Sequence, residues 1–381
     1  MVVYRILTFE YDLPLPKLID RRMRDLDNAF SLEAVPDGVL LKVRGAKTYF
    51  PIKKGVLKRT VGYVKAVDDI SLDVYRGETL GLVGESGCGK TTLGKSILQL
   101  VPVTEGSMEY KFEDGYKDLR KLSRKELDDA RKKIQIVFQD PYSSLNPAFT
   151  IFGSLEDPLI KFGVKTKAER IEKIGKLLED VNLPRDYMSR YPNEFSGGQR
   201  QRIGIARALS VDPELIICDE AVSALDVSIQ AQVLKLLNKL KAERSLTYIF
   251  ITHDLSVVEY LADRIAVMYL GRVVELTTSE ELFGNTLHPY TSALLSAIPV
   301  ADVTRKKKRI PLQGDVPSPA NPPSGCTFHP RCPECTERCK KERPMLEEYE
   351  INGVSHFVAC HLAKEKLAGR ADVKKVEAKG E

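Results

Sequence analysis

The chain has 381 residues, 43% apolar and 29% charged, with seven cysteines and no tryptophan. Its 58 basic and 53 acidic residues leave a net charge of +5, too even a balance to argue for a nucleic-acid partner. No run of about 18 apolar residues occurs, which excludes a membrane-spanning helix. Met1 to Phe30 carry scattered charges and no signal-peptide pattern, so a cytosolic chain is expected. The length suits one large α/β domain plus a smaller addition.

Residues 1–38 mix short apolar stretches with charges and the prolines Pro14, Pro16 and Pro36; they read as an N-terminal extension of no assigned role. From Val39 the pattern turns β-like, with strands expected around Leu40–Val43 and within Val64–Val74. The basic stretch Lys53–Thr60 between them reads as a surface loop. Tyr49, Phe50 and Tyr63 precede the next segment; one of them is a candidate to stack on a base, and ordinary strand packing explains each equally well.

Thr79–Val83 is a short apolar strand. Gly84-Glu85-Ser86-Gly87-Cys88-Gly89-Lys90-Thr91 follows, a full match to G-x-x-x-x-G-K-[ST]. Thr91, Thr92 and the residues to Leu98 then open a helix. A strand, a glycine loop and a helix N-terminus turn a ring of backbone N–H groups towards an anion. The glycines supply positive φ and close approach. Lys90 is placed to reach the β- and γ-phosphates, and the Thr91 hydroxyl to ligate Mg²⁺.

Ile134–Phe138 reads as a buried strand ended by Gln139-Asp140-Pro141. Residues 151–190 read as a helical insert, because Ala168–Leu178 repeats apolar residues at i, i+3 and i+7 with charges between. Phe195-Ser196-Gly197-Gly198-Gln199 is a second glycine turn opening a helix to about Leu209. Glu214–Cys218 is a continuous apolar strand, as expected for one buried on both faces, and it ends in Asp219-Glu220. Val227–Arg244 reads as a long amphipathic helix. Tyr248–Thr252 is another buried strand, with His253 at its C-terminal end. Arg264–Leu276 reads as a hairpin turning at Gly271-Arg272. This alternation predicts a mostly parallel sheet flanked by helices, with ligands at the strand C-termini.

Beyond about Pro289 the chain becomes loop-rich. Arg305–Arg309 is a basic linker, and Pro317, Pro319, Pro322 and Pro323 precede a cysteine cluster. Five of the seven cysteines lie in the last 56 residues, and in a reducing compartment such a cluster favours metal over disulfides. Cys88 and Cys218 read as packing residues. Residues 363–381 are Lys/Glu/Ala-rich and read as a frayed helix or a disordered tail.

The set GESGCGKT, Gln139, FSGGQ, LIICDE, SALD and His253 resembles the nucleotide-binding subunit of an ABC transporter, with every motif in order between about residues 39 and 280. FSGGQ is the most specific of them. The resemblance implies an α/β P-loop NTPase cassette: a RecA-like, mostly parallel sheet, an antiparallel β subdomain and a helical subdomain. It implies that ATP is bound by Tyr49, Gly84 to Thr92 (Gly84, Glu85, Ser86, Gly87, Cys88, Gly89, Lys90, Thr91, Thr92), Gln139, Ser196, Gly197, Gly198, Gln199, Asp219 and Asp226. Mg²⁺ falls to Thr91, Gln139 and Asp219, for oxygen donors suit this cation. Glu220 takes the general-base role on the attacking water, His253 contacts the γ-phosphate, and Gln139 senses it. Ser196–Gly198 contact the ATP of an opposing subunit, so the site is completed by a second chain. Phe195 replaces the common Leu, and Ala221 replaces the usual Pro, which frees that turn from proline's constraint.

Cys326, Cys332, Cys339 and Cys360 in the setting SGCTFHPRCPEC…RP…VACH, with LHPYTSALLSAIP before them, resemble the C-terminal extension of oligopeptide/dipeptide importer ATPases. The resemblance implies a [4Fe–4S] cluster on these four thiolates. Zn²⁺ is the alternative, since Cys₄ also suits zinc and His329, His356 and His361 lie nearby. Cys335 is left over. The expected organisation is 1–38 extension, 39–285 cassette, 286–362 C-terminal domain and 363–381 tail. The implied activity is ATP hydrolysis powering import of oligopeptides or dipeptides, with oligosaccharides or nickel as alternative cargo. The implied partners are a homologous ATPase subunit, two transmembrane permeases and an extracytoplasmic solute-binding protein, at the cytoplasmic face of the membrane. A soluble ABC ATPase of DNA repair or translation is the competing class. It is disfavoured because only about 57 residues separate Gln139 from Ser196 and no second phosphate loop occurs.

Overall fold

The computed structural model describes residues 38–56, 58–140, 142, 144–298, 309–368 and 373–376. Residues 1–37 of the N-terminal extension, the Arg305–Lys308 part of the basic run, and residues 369–372 and 377–381 of the tail lie outside the described residues. Two sheets organise the rest. The smaller is antiparallel and combines β1 (Val39–Lys54), β2 (Arg59–Tyr75), β4 (Glu105–Phe112) and β5 (Gly115–Asp118) in the order β2-β1-β4-β5. Both ends of the stretch expected to be a basic loop are strand: Lys53 pairs with Thr60 and Lys54 with Arg59.

The larger sheet joins β3 (Thr79–Val83), β6 (Ile134–Val137), β7 (Leu215–Asp219), β8 (Thr247–Thr252), β9 (Arg264–Tyr269), β10 (Arg272–Thr278), β11 (Glu347–Ile351), β12 (Val354–Val358) and β13 (Val373–Lys375). Their order is β13-β11-β12-β10-β9-β3-β8-β7-β6. β6, β7, β8, β3 and β9 are parallel neighbours, and the remainder pair antiparallel. The phosphate-loop strand is thus central, as an α/β ligand site requires.

The continuous apolar strands are explained by two cores, one on each face. Leu215 and Ile217 of β7 enter one core, with Leu80, Leu82, Ile249, Ile251, Ala266 and Met268. Ile216 and Cys218 enter the other, with Tyr248, Phe250, Ile265 and Val267. Alternation along each strand feeds both cores, so each face must be apolar. The first core is closed by the antiparallel sheet through Leu41, Val43 and Ile70, and by Leu93 and Ile97 of the helix Lys90–Ile97. The second is closed by the helices Ile151–Lys161, Lys167–Asp180, Gly197–Leu209, Val227–Arg244 and Leu255–Leu261.

The β9–β10 hairpin turns at Leu270-Gly271, one residue earlier than expected; both residues have positive φ (42° and 76°). The larger departure is C-terminal. β12 pairs with β10, and β11 and β13 extend the sheet further. The C-terminal segment is therefore continuous with the cassette sheet, and Val373–Lys375, within the expected frayed tail, is a strand. Cys88 and Cys218 are buried, as packing residues should be.

Candidate functional site

The loop Gly84–Thr91 leaves β3 at the centre of the sheet. Gly84, Gly87 and Gly89 have φ of 148°, 79° and 104°. A Cβ on Gly89 would stand 2.0 Å from the Ala66 carbonyl, and one on Gly84 would stand 2.2 Å from the Met268 carbonyl. Glycine is required at both by conformation and by space. Lys90 is buried, and its Nζ donates to the carbonyls of Gly84 (2.7 Å) and Glu85 (3.1 Å). The ammonium therefore sits inside the curl of the loop, where phosphate oxygens belong. Ser86 and Gly87 are exposed at the tip, and Thr92 is half-buried in the first turn of the helix.

The Thr91 hydroxyl donates to Asp219 Oδ1 at 2.7 Å. Asp219 ends β7 and is 3% exposed. Burial raises its carboxyl above the usual range, opposed by the Thr91 hydrogen bond and by Lys95 and Lys90. A buried carboxylate paired with a hydroxyl, beside a phosphate loop, is a donor set that fits an oxygen-seeking dication.

Glu220 follows in the left-handed region, at φ 48°. Its N–H donates to Ile251 O (2.9 Å), and its carbonyl accepts from the Ser223 N–H (3.1 Å) and hydroxyl (3.0 Å). The turn that Ala221 was expected to loosen is thus closed by hydrogen bonds, and Ala221 is buried. A non-glycine residue held there stores about 1–3 kcal/mol, as is found at sites whose geometry matters. Glu220 Oε2 accepts from Gln139 Nε2 at 2.9 Å and lies 3.4 Å from His253 Nδ1. Three strand ends, β6, β7 and β8, thereby bring Gln139, Glu220 and His253 together.

Ser196–Gln199 lie elsewhere. Ser196 caps the helix Gly197–Leu209 in a capping box with Gln199. Gly197 and Gly198 face Leu225 and Ile229, and Asp226 between these caps the helix Val227–Arg244. Among the described residues, no hydrogen bond or ion pair joins this pair of turns to the phosphate loop. The expected binding residues therefore form two groups, not one pocket.

Tyr49 is half-buried, and its hydroxyl donates to Asp68. Tyr49 pairs with Lys65 and Pro51 with Tyr63, so Tyr49 and Tyr63 share a face of the hairpin; Phe50, opposite Val64, is on the other. Tyr63 is 49% exposed, which leaves its ring the freer of the two for a base.

The C-terminal cysteines converge. The Cys326 N–H donates to Cys339 O at 2.8 Å. Burial pushes the Cys326 thiol up to about 12 and Cys332 to about 11, and the neighbouring thiols add to both shifts. Cys360 is raised by burial, with Cys339 adding to it. Cys335 instead turns to the Thr336 carbonyl. Among the described residues, however, no group of three or more His, Cys, Asp or Glu side chains is placed to hold a metal ion. The expected metal site on these thiolates, cluster or zinc, is thus not seen as a formed site among the described residues. The nearby histidines are committed elsewhere: His329 to the Cys326 carbonyl, His356 to buried Glu275, and His361 to the Glu342 carbonyl.

Sequence reasoning missed two residues at the phosphate loop. The Glu85 N–H donates to the Tyr290 hydroxyl (2.9 Å), and the Glu85 carboxylate accepts from both terminal nitrogens of Arg331 (2.6 and 3.1 Å). Both sit in the stretches LHPYTSALL and HPRC, and no spacing rule links positions 205 and 246 residues apart.

The profile described as ABC transporter matches residues 67–223, and that described as the oligopeptide/dipeptide transporter C-terminal region matches residues 274–339. The oligopeptide transport ATP-binding protein AppF of Bacillus subtilis (strain 168) is 52% identical over 334 residues, 87% of this chain and 99% of that protein. A putative peptide import ATP-binding protein of Brucella ovis is 50% identical over 84% of this chain and 97% of its own. Among solved structures, the dimeric post-hydrolysis state of the cassette MJ0796, bound to ADP and Pi, is 30% identical with a TM-score of 0.55, covering 63% of this chain and 99% of that one. CbiO1 from Clostridium perfringens, part of the transporter complex cbiONQ, is 25% identical with a TM-score of 0.55, over 65% and 92%. The core is an ABC ATPase cassette, and the chain belongs to the oligopeptide transport ATP-binding protein family of ABC transporters.

Proposed function

We propose that this chain is the ATP-hydrolysing subunit that powers import of oligopeptides or dipeptides through an ABC transporter membrane complex. The observation that carries the reading is the junction of Gln139, Glu220 and His253 at three strand ends, beside Lys90 and Thr91 of the phosphate loop and Asp219 at the end of β7. Relatives at about 50% identity are named for peptide transport, and the C-terminal match is to the same class.

Lys90 and the loop N–H groups hold the triphosphate. Thr91 and Asp219, with Gln139, would hold Mg²⁺, which when bound would neutralise charge on the phosphate oxygens. Glu220 takes the proton of the attacking water, and Gln139 and His253 fix the direction of its carboxylate. By the resemblance, Ser196, Gly197, Gly198, Gln199 and Asp226 contact the ATP of a second subunit, and their standing apart from this chain's own loop supports this. Tyr49 and Tyr63 present the face for the base.

An importer ATPase acts through permease subunits. Among the described residues no helix is long and apolar enough to cross a membrane, so the transport path belongs to other chains. The second ATPase, by the resemblance, is a homologue, and a solute-binding protein delivers the peptide. The chain then docks at the cytoplasmic face of the membrane. The domain limits 39–285 and 286–362 separate motor from extension, although the sheet runs across the boundary.

Cys326, Cys332, Cys339 and Cys360 are the proposed ligands of a [4Fe–4S] cluster. Their mutual convergence and the turning away of Cys335 support this, and four thiolates are the ligand set such a cluster takes. Anaerobically purified chain should be brown, with broad absorbance near ~400 nm. A colourless protein carrying stoichiometric zinc would sink the cluster.

Affinity purification from the native membrane tests the function itself. Two permeases, a second ATPase and a peptide-binding protein should co-purify, and ATP turnover in the complex should rise with peptide-loaded binding protein. A chain recovered alone or with repair or ribosomal factors would remove the importer reading.

A further inference from the structure

The phosphate loop is held from the C-terminal segment at one residue, Glu85, by two separate bonds. Tyr290 holds its backbone and Arg331 its side chain. Arg331 is 8% exposed, and both terminal nitrogens meet the two carboxylate oxygens in a fork. Bidentate pairing of this kind fixes orientation as well as charge. Its anchorage is rigid. Phe328, three residues earlier, is 1% exposed and packs edge-on to Tyr269 (5.2 Å) and tilted to Tyr290 (5.4 Å). Arg331 itself lies over the Tyr269 ring at 5.9 Å. The Gly271 N–H, just beyond Tyr269, donates to Cys88 O of the same loop at 2.9 Å.

This arrangement has an electrostatic purpose. A triphosphate brings several negative charges to the loop, and Glu85 already carries one there. An unpaired carboxylate at that position would repel the ligand and swing free. We propose that Arg331 is a positioning residue of the ATP site, through which the cysteine-bearing C-terminal segment sets the affinity of the phosphate loop for nucleotide. Arg331 touches no phosphate in this scheme; it acts through Glu85. It also lies between Cys326 and Cys332, so a rearrangement of that short loop is transmitted to Glu85 without an intermediary.

The proposal rests on the ATPase reading above, and the test separates the two. Full-length chain in its complex is assayed for MgATP binding and turnover as wild type, Arg331→Ala, Arg331→Lys, Glu85→Gln and the Arg331→Ala/Glu85→Gln double variant. Arg331→Ala should raise KM for MgATP about tenfold with kcat within about twofold, and Arg331→Lys should raise it about threefold. Adding Glu85→Gln to Arg331→Ala should bring KM back to within about threefold of wild type, because the uncompensated charge is gone. A merely structural arginine would lower the melting temperature, leave KM alone and show no rescue; that result overturns the proposal, as does an unchanged KM in Arg331→Ala. If the alanine variant does not fold, the lysine variant decides the matter by the same KM criterion. A double-mutant cycle on the thermal melting of nucleotide-free chain reads the clamp without ATP, and additive effects there would also overturn it. Wild-type chain that fails to bind MgATP while the cycle shows coupling would instead overturn the ATPase reading.

Discussion

Glu220 concentrates several constraints on one side chain. Its backbone is held left-handed by the Ile251 carbonyl and Ser223, and a single carboxylate oxygen faces both Gln139 and His253. Glu220→Gln keeps the size of the group and its acceptor oxygen, and removes only the basicity. The variant should bind MgATP as wild type does and hydrolyse it about 10²–10⁴-fold more slowly, the usual weight of a general base. Turnover of the assembled complex and binding of a fluorescent nucleotide measure the two halves of that statement. Unchanged turnover would take the base role from Glu220. The residue's importance was readable from LIICDE, because an acid at the end of a fully apolar strand has few reasons to be there. The fork from Arg331 was not readable. It depends on the loop 326–332 folding back over β9, and the glutamate it meets lies 246 positions earlier.

At the scale of elements, the helix Pro289–Ser296 is the link between buried polar groups and the phosphate loop. His288 caps it, Nδ1 accepting from the Tyr290 N–H at 3.1 Å, and Tyr290 in turn holds Glu85. The N–H groups of Leu287 and His288 donate to Glu275, which is 0% exposed and also faces His356. An acceptor nitrogen cannot be protonated, and burial lowers the His288 pKa to about 4, with Lys366 acting in the same direction and Glu275 and Glu334 opposing. Unfolded chain takes up that proton near 6.5, so between about pH 6.5 and 4 the unfolded state binds more protons. Stability from His288 is present above 6.5 and is lost as pH falls to 4, by up to about 3 kcal/mol at ~1.4 kcal/mol per pKa unit. His288→Asn, which caps without titrating, should flatten this part of the profile in urea unfolding at pH 7 and pH 4.5. Equal losses in the two proteins would remove His288 as the cause. Elements with strong periodicity were legible: Val227–Arg244 matches the expected helix at both ends. The β11–β12 hairpin was missed, although Asn352-Gly353, at φ 51° and 79°, is a strong hairpin signal. Its flanking strands are five residues each, too short for alternation alone to announce them, and three of the five residues of β11 are glutamates.

At the scale of the whole molecule, the two groups of binding residues are the main fact. The phosphate loop with Asp219, Glu220, Gln139 and His253 makes one; the Ser196–Gln199 and Asp226 turns make the other. The motifs named both groups, but only the fold shows that one chain does not bring them together, because each is closed by its own caps and packs on its own neighbours. On the proposed function, a single chain offers two halves of different sites, and a second chain supplies the complement. Gly197 allows this to be tested with little disturbance of the fold. A Cβ there meets only Leu225 at 3.6 Å, ordinary contact, whereas at Gly198 it would strike Ile229 at 2.3 Å. Gly197→Glu should therefore fold and bind MgATP at its own phosphate loop as before. Its carboxylate would face the partner's triphosphate, and closure of the pair would be opposed by like charge. Turnover of the assembled complex should fall by tenfold or more, about 1.4 kcal/mol or more at the transition state, and ATP-dependent compaction of the complex in small-angle scattering should disappear. Full turnover in this variant would mean that the signature turn faces solvent throughout the cycle, and the two-chain site would have to be abandoned. Loss of nucleotide binding at the chain's own loop would place Gly197 within the first group and contradict the separation on which the two-chain site is built.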